Sequence, residues 1–473
     1  GRPSEVAYYV DGFSQQDPLS GLSTANINNN AIKEVSVVSG AFSAEYGHVA
    51  SGIVNVVTNS GSDKYSGNVE VVTDNLVGSA NSYDQNFYAA DFSGPIPGMK
   101  KGFFFLSGGR RWLGDRQPSS QTKEMAERFN LKEQFGDNYH RLPSNTQSGW
   151  SYQGKVDYSF TPTFKMALSA NGSVENWREY RHERIYDVNH NPRYEDKNFG
   201  ANAKFTHTLS ANTFYNFSTS YFATERFRGD NQLWKDMESY ERPFADPEED
   251  PSNLFLAWDE DITVRASVLD STITPGDTLR DTLVVVEGQQ AYWANYLKRK
   301  SSYLGFKGDL THKVNDVHTL RAGFDFQRHT LRYFENIDAT TDYTTQYVNR
   351  YGYDANAEES DTEEWYNDTK HPINLGVYLE DRFDLQNMVI SAGLRFDYFD
   401  YKALRNIDVR NPLDPNRATG VDELDESDFE ASKKFSRLSP RLGIAFPVSD
   451  KTQFHINYGK FFQRPDLRNL YVG

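Results

Sequence analysis

The chain has 473 residues, a net charge of -16, no cysteine, and 14% aromatic and 25% charged residues. The acidic balance excludes a nucleic-acid-binding surface, which needs basic stripes that displace counterions, and the absence of cysteine excludes disulfides, thiolate metal sites and a cysteine nucleophile. A mean hydropathy of -0.72, with no apolar run near the roughly twenty residues of a spanning helix, excludes helical membrane insertion but leaves open a β-barrel, whose strands alternate lipid-facing and lumen-facing side chains.

The first informative stretch is YYVDG at Tyr8 to Gly12. Residues Glu34 to Gly61 then read EVSVVSGAFSAEYGHVASGIVNVVTNSG, two valine-rich strands around a tract of Gly, Ala and Ser with one Glu-Tyr-Gly triplet. Val35 and Val37 share one strand face and Val54 and Val56 another, while Gly40, Gly47 and Gly52 permit close backbone approach and positive φ. So many small residues suit a tightly wound element packed inside something larger. They do not suit a lipid-facing hairpin.

From Ser66 onward, segments of alternating polarity recur, the period-two signal of half-buried strands. In GWSYQGKVDYSF, Trp150, Tyr152, Val156, Tyr158 and Phe160 share one face, and Gln153, Lys155, Asp157 and Ser159 the other. Thr161 to Thr163 make a short turn into FKMALSANG, where Phe164, Met166, Leu168 and Ala170 oppose Lys165 and Ser169. The pattern repeats with Ala203, Phe205 and Leu209 before a turn near Ala211, and Tyr215, Phe217, Thr219 and Tyr221 after it. Further strands follow to the end of the chain, about thirteen in all from Ser66, several near the length of a tilted spanning strand.

Short turns alternate with long polar connections, notably about 229–291 and 336–371. That asymmetry belongs to outer-membrane barrels, with short turns on the periplasmic side and long loops outside. Since an unclosed sheet in hydrocarbon leaves costly unpaired edges, the barrel is expected to be completed by residues outside this sequence, of which this chain is a fragment.

The long loops hold aromatic rings of the kind that bind glycans, peptides or siderophores: Trp234, Tyr240, Trp258, Tyr343, Tyr347, Tyr351, Tyr353 and Trp365. The plainer reading, in which the rings pack the loops together, is the favoured one. In DVNHNPRYED, Asp187, Asn189 and Asn191 fall at the spacing of a calcium loop. Pro192 stands where an EF-hand needs Gly, and the flanks are strand and turn, so a polar loop without calcium is favoured. The acidic tracts at Asp246–Asp250 and Asp422–Asp428 read as solvated loop tips. No HExxH, GxSxG or P-loop occurs, and the chain is expected not to be an enzyme.

The motifs YYVDG, IKEVSVVSGAFSAEYG and SGIVNVVTNSG, in this order, resemble the end of the plug domain of TonB-dependent outer-membrane receptors. LSPRLGIAFPV and INYGKFFQRPDLRNLY resemble mid-barrel strands of the Bacteroidetes-type and Oar-like branch of that family. The resemblance implies an all-β fold, a transmembrane antiparallel barrel of about twenty-two strands when complete, with a small plug in its lumen. Residues 1–65 would be the C-terminal part of the plug and 66–473 a partial barrel. The plug motif would comprise Asp11, Gly12, Gly40, Glu45, Tyr46, Gly47, Ser51, Gly52 and Asn55.

The implied partners are outer-membrane lipid, TonB with its inner-membrane energising complex, and a surface lipoprotein or other outer-membrane protein, with the outer membrane of a Gram-negative bacterium as location. The TonB-contacting box and the closing strand of the family are expected outside this sequence. The implied activity is TonB-dependent import of a scarce nutrient without a cofactor. The alternative is a structural, adhesion or secretion-linked barrel.

Overall fold

The computed structural model describes residues 5–23, 26–38, 43–48, 51–77, 82–128, 131–136, 139–182, 188–236, 240, 293, 295–336, 348–361, 367–410, 426–449, 452–461, 463 and 466–471. Two β-sheets carry the fold. The first is four-stranded, with order β2-β1-β4-β3, and uses β1 (Val6–Val10), β2 (Phe13–Ser14), β3 (Ile32–Val38) and β4 (Gly52–Thr58). Strands β1 and β2 are joined by Asp11 and Gly12, both at positive φ (49° and 91°). An Asp-Gly pair meets that demand of a two-residue hairpin at low cost. Strand β4 then inserts between β1, to which it is parallel, and β3, to which it is antiparallel.

The second sheet is an antiparallel meander. Its strands are β5 (Ser66–Thr73), β6 (Gln85–Pro95), β7 (Gly102–Leu113), β8 (Gln147–Ser159), β9 (Phe164–Arg178), β10 (Pro192–Ser210), β11 (Thr213–Asp230), β12 (Tyr296–Lys313), β13 (His318–Asn336), β14 (Val348–Tyr351), β15 (Ile373–Leu385) and β16 (Met388–Asp400). A small separate ribbon of β17 (Leu404–Asn406) and β18 (Phe429–Ala431) precedes β19 (Phe435–Ser449) and β20 (Thr452–Gly459), which return to the sheet. Each long strand pairs with the next one along the chain, while β14 extends the β13 hairpin. On the main path thirteen strands are hydrogen-bonded in order, with β5 and β20 at its two edges. The sheet is not closed among the described residues. Its short turns, such as Ala211–Asn212 and Gln386–Asn387, lie at one end and its long connections at the other.

The burial pattern of this sheet is the inverse of a soluble protein's. Along β8, Trp150 and Tyr152 are exposed whereas Ser151, Gln153 and Lys155 are buried. The same inversion recurs with exposed Leu106, Phe217, Leu304, Phe324, Leu379 and Phe396 and buried Ser107, Ser173, Ser301, Glu380, Arg395 and Asp397. An apolar outer band around a polar interior is what hydrocarbon outside and water inside demand. Leu379, at mid-strand and 56% exposed, tests this directly. In the complete protein Leu379→Arg is expected to cost about 2–4 kcal/mol near the bilayer midplane, read as lost folded, heat-modifiable barrel on reconstitution. Recovery equal to the unsubstituted protein would place this face away from lipid.

Candidate functional site: the seat of the small sheet

The four-stranded sheet lies against the polar inner face of the large one. Its loops reach most of the inner wall. Between β3 and β4, the described residues Ser43 to His48 touch β12, β13, β15, β16 and β19. The Glu45 carboxylate is 2.6 Å from Lys307 Nζ and 2.7 Å from the Arg321 guanidinium. Glu380 accepts from the Ala44 amide at 2.8 Å and from the Ser43 hydroxyl at 2.9 Å. Arg441 donates to the Ser43 carbonyl, and His48 Nε2 lies 2.8 Å from Asn374 Oδ1.

Arg395, only 1% exposed, lies at the centre of this seat. It donates to the carbonyls of Ala44 (3.2 Å) and Glu45 (2.9 Å) and pairs with Asp397 at 2.7 Å. Its guanidinium lies against Gly47 of the β3–β4 connection on one side and Gly376 of the wall on the other, and a Cβ on either glycine would collide with it. The third residue of the Glu-Tyr-Gly triplet is therefore glycine for space. Its partner Tyr46 packs edge-on against Tyr9, ring centroids 5.8 Å apart, under the Lys307 ammonium at 5.7 Å.

Two further contacts anchor the hairpin of β1 and β2 and the loop after it. Asp11 accepts from the Thr58 backbone amide at 3.0 Å and from its hydroxyl at 2.5 Å, and it meets Lys155 at 3.4 Å. Asp17 pairs with Arg299 at 3.0 Å and accepts from the Ser301 hydroxyl at 2.7 Å and the Leu19 amide at 3.0 Å. Burial alone would push the Asp17 carboxyl up, but the Arg299 charge and these donors outweigh it and hold it below the usual carboxylate range. Glu45 is shifted in the same direction, with burial opposed by Lys307 and Arg321.

A carboxylate depressed in the folded state stabilises at pH above its unfolded value, and that contribution disappears as pH falls through the folded value. The seat is therefore expected to hold at neutral pH and to loosen in acid, below the ordinary carboxylate range near about 4. Hydrogen exchange at residues 15–20 and 43–48 of the complete protein, followed from pH 7 to pH 3, checks it. Asp17→Asn with Glu45→Gln should flatten the profile, and a steep profile in that variant would assign the loosening to other groups.

The sequence-derived site residues fall in two groups. Asp11, Gly12, Glu45, Tyr46, Gly47, Ser51, Gly52 and Asn55 all lie in the small sheet or its loops, and Ser51 donates to the Glu5 carboxylate at 2.6 Å. Gly40 lies outside the described residues. Among the loop aromatics, Tyr240 and Tyr353 are buried with Phe227, Tyr296 and Phe334, with Trp234 packed alongside. Tyr351 is buried with Leu19, Tyr333 and Leu467. Tyr240, Tyr351 and Tyr353 pack the loops to one another and to the small sheet, while Trp234 is half-buried beneath the Arg193 guanidinium. Trp258, Tyr343, Tyr347 and Trp365 lie outside the described residues.

In the proposed calcium loop, Asp187 lies outside the described residues, Asn189 is exposed in a single 3-10 turn, and Asn191 is fully buried. The Asn189 carbonyl accepts from Asn231 at 3.0 Å. No cluster of three or more metal-ligating side chains occurs among the described residues. Sequence reading missed Lys307, Arg321, Arg395 and Asp17, because each makes its contact between the small sheet and the wall across hundreds of residues and leaves no local signal.

Comparison with known proteins extends this picture. A family model described as "TonB dependent receptor-like, beta-barrel" matches residues 73–473. The TonB-dependent transporter Oar of Myxococcus xanthus is 34% identical over 65 residues, 14% of this chain and 6% of that protein. Among solved structures, the FrpB iron transporter from Neisseria meningitidis superposes with a TM-score of 0.58 at 14% identity, over 99% of this chain and 58% of its own. The Serratia marcescens hemophore receptor HasR, solved with its hemophore and heme, gives 0.56 at 11% identity over 98% and 57%. The chain thus spans under three fifths of each of these two solved structures.

Proposed function

The chain belongs to the TonB-dependent receptor family, and from that membership we propose that the complete protein imports a scarce nutrient (a siderophore, glycan or peptide) through the outer membrane of a Gram-negative bacterium. TonB and the inner-membrane complex supply the energy. In this reading the small sheet is the plug, the short-turn end faces the periplasm and the long-loop end faces outward. The observation that carries it is the chemistry of the seat: residues 43–48 meet the wall through ion pairs and hydrogen bonds. Polar contacts of this kind can exchange with water when sheared, whereas an apolar core would have to expose its surface. A plug held this way stops leakage at rest and yields to a pull.

The experiment is mass spectrometry of small molecules bound to the natively purified complete protein, followed by uptake of whatever is found in cells with and without the energising complex. Bound ligand and energy-dependent uptake are expected. No ligand, and no response to loss of energisation, would move the assignment to a structural or secretion-linked barrel.

A further inference from the structure

The wall beneath residues 43–48 carries counter-charges of its own. Lys307 Nζ, 2.6 Å from Glu45, also lies 4.0 Å from Asp309, two residues further along β12. Arg321, 2.7 Å from Glu45, lies 3.8 Å from Glu380, its direct cross-strand partner on β15. Arg395 holds Asp397 at 2.7 Å as well as the Ala44 and Glu45 carbonyls. Each of these three wall cations therefore has a wall carboxylate within 4.0 Å in addition to its contact with the loop. Arg441 meets the loop at the Ser43 carbonyl, an interaction with no charge on the loop's side.

The two longer pairs are poised to tighten. At 4.0 and 3.8 Å they exceed the roughly 2.8 Å of a charge-assisted hydrogen bond, so neither replaces Glu45 while the loop is seated. Asp309 is aimed by Tyr378, whose hydroxyl donates to Oδ1 at 2.7 Å and leaves Oδ2 as the atom nearest Lys307. The tyrosine ring reaches across Gly323, where a Cβ would come within 2.7 Å of Tyr378 and 3.0 Å of Asp309. Glu380 uses Oε2 for the Ser43 hydroxyl and the Ala44 amide and turns Oε1 to Arg321, so departure of the loop frees it of both donors. Asp325, opposite Lys307 in the register, adds a further negative charge to the same face.

We propose that the seat is an ion-pair exchange latch. As residues 43–48 withdraw, Lys307 passes from Glu45 to Asp309 and Arg321 passes from Glu45 to Glu380, each by a closing movement of about one ångström. Arg395 keeps Asp397. The wall is left with these charges paired, and Glu45 leaves with the loop to be hydrated. An unpaired, partly buried charge is the main cost of breaking such a pair, so the exchange stabilises the open state and keeps the socket ready for the loop's return. Withdrawal in use rests on the import reading above, whereas spontaneous local opening takes the same route without it.

Asp309 distinguishes the latch from a static seat, because no contact joins it to the loop while it competes with Glu45 for Lys307. Asp309→Asn, Glu45→Gln, the double variant and Asp309→Glu are made in the complete protein and checked as heat-modifiable folded barrels. Hydrogen exchange of residues 43–48 at pH 7 is then compared. Asp309→Asn is expected to slow exchange about fivefold, the equivalent of one partly exposed ion pair, and Asp309→Glu to restore the original rate. In the Glu45→Gln background, where the loop no longer holds Lys307, adding Asp309→Asn should change the rate by less than about twofold.

Tyr378→Phe supplies a variant of opposite sign, and it decides the matter if Asp309→Asn does not fold. Releasing Asp309 from the hydroxyl lets it compete better for Lys307, so exchange at residues 43–48 should quicken. Faster or unchanged exchange in Asp309→Asn, equal slowing in both Glu45 backgrounds, or slower or unchanged exchange in Tyr378→Phe would each overturn the latch. None of these outcomes depends on transport, so a failure here leaves the import reading to its own uptake experiment, and a failure of uptake leaves the exchange of partners intact.

Discussion

Replacing Arg395 by alanine is expected to release the plug's Glu-Tyr-Gly loop from the wall at a cost of about 3–5 kcal/mol, the range for a buried ion pair that loses one member. The substitution leaves Asp397, 3% exposed, without its guanidinium partner and takes the donors from the Ala44 and Glu45 carbonyls. A companion variant sharpens the reading. Gly47→Ala alone drives a methyl group into the same guanidinium and is expected to cost about 1–3 kcal/mol by overpacking. With Arg395 already removed, the methyl group should be accommodated at a cost well under 1 kcal/mol, a coupling that a double-mutant cycle reports. Hydrogen exchange of residues 43–58 in the complete protein provides the measurement. Additive effects of the two substitutions would mean that Gly47 is required for a reason other than the space Arg395 occupies.

The second large effect is expected at Glu45. Its removal leaves Lys307 and Arg321 facing each other across the plug loop with their shared carboxylate gone. Because both cations retain some solvent access, with side chains 22% and 33% exposed, the cost of Glu45→Ala is placed at about 3 kcal/mol, the lower end of the buried-pair range. That corresponds to exchange about a hundredfold faster in the loop if it opens locally. Replacing Glu45 and Lys307 together by methionine removes one of the two stranded cations, while Arg321 keeps Glu380 at 3.8 Å, and should recover part of the loss. If Glu45→Ala leaves exchange unaltered, the ion pair contributes nothing to the seat.

The sheet was largely legible in the sequence because its information is local. Alternation in Gly149 to Phe160 assigns both faces of β8 without any partner strand, and the thirteen strands on the main path agree with the count drawn from such patterns. Lys155, on the polar face of β8, meets Asp11 of the small sheet. The small-residue tract was legible as a packed element, but the reason for Gly47 was not, since Arg395 lies nearly 350 residues further on. The loop aromatics are opaque for the opposite reason. Tyr240, Tyr351 and Tyr353 sit in polar surroundings in the sequence, yet tertiary packing brings them together and buries them. Cross-strand register, which aligns Ser151, Ser173 and Asn198 from three separate strands, is likewise invisible in any one segment.

The most direct test is a cross-link between plug and wall. The Ala44 methyl carbon lies 2.9 Å from where a Cβ on Gly393 would sit, close enough for a disulfide after a small adjustment. Ala44→Cys with Gly393→Cys, introduced into the complete protein and oxidised in native membranes, should form an intramolecular bond in most molecules, read as a reducible shift in gel mobility. Two free thiols under the same oxidation would mean that the Gly- and Ala-rich segment lies somewhere other than inside the barrel.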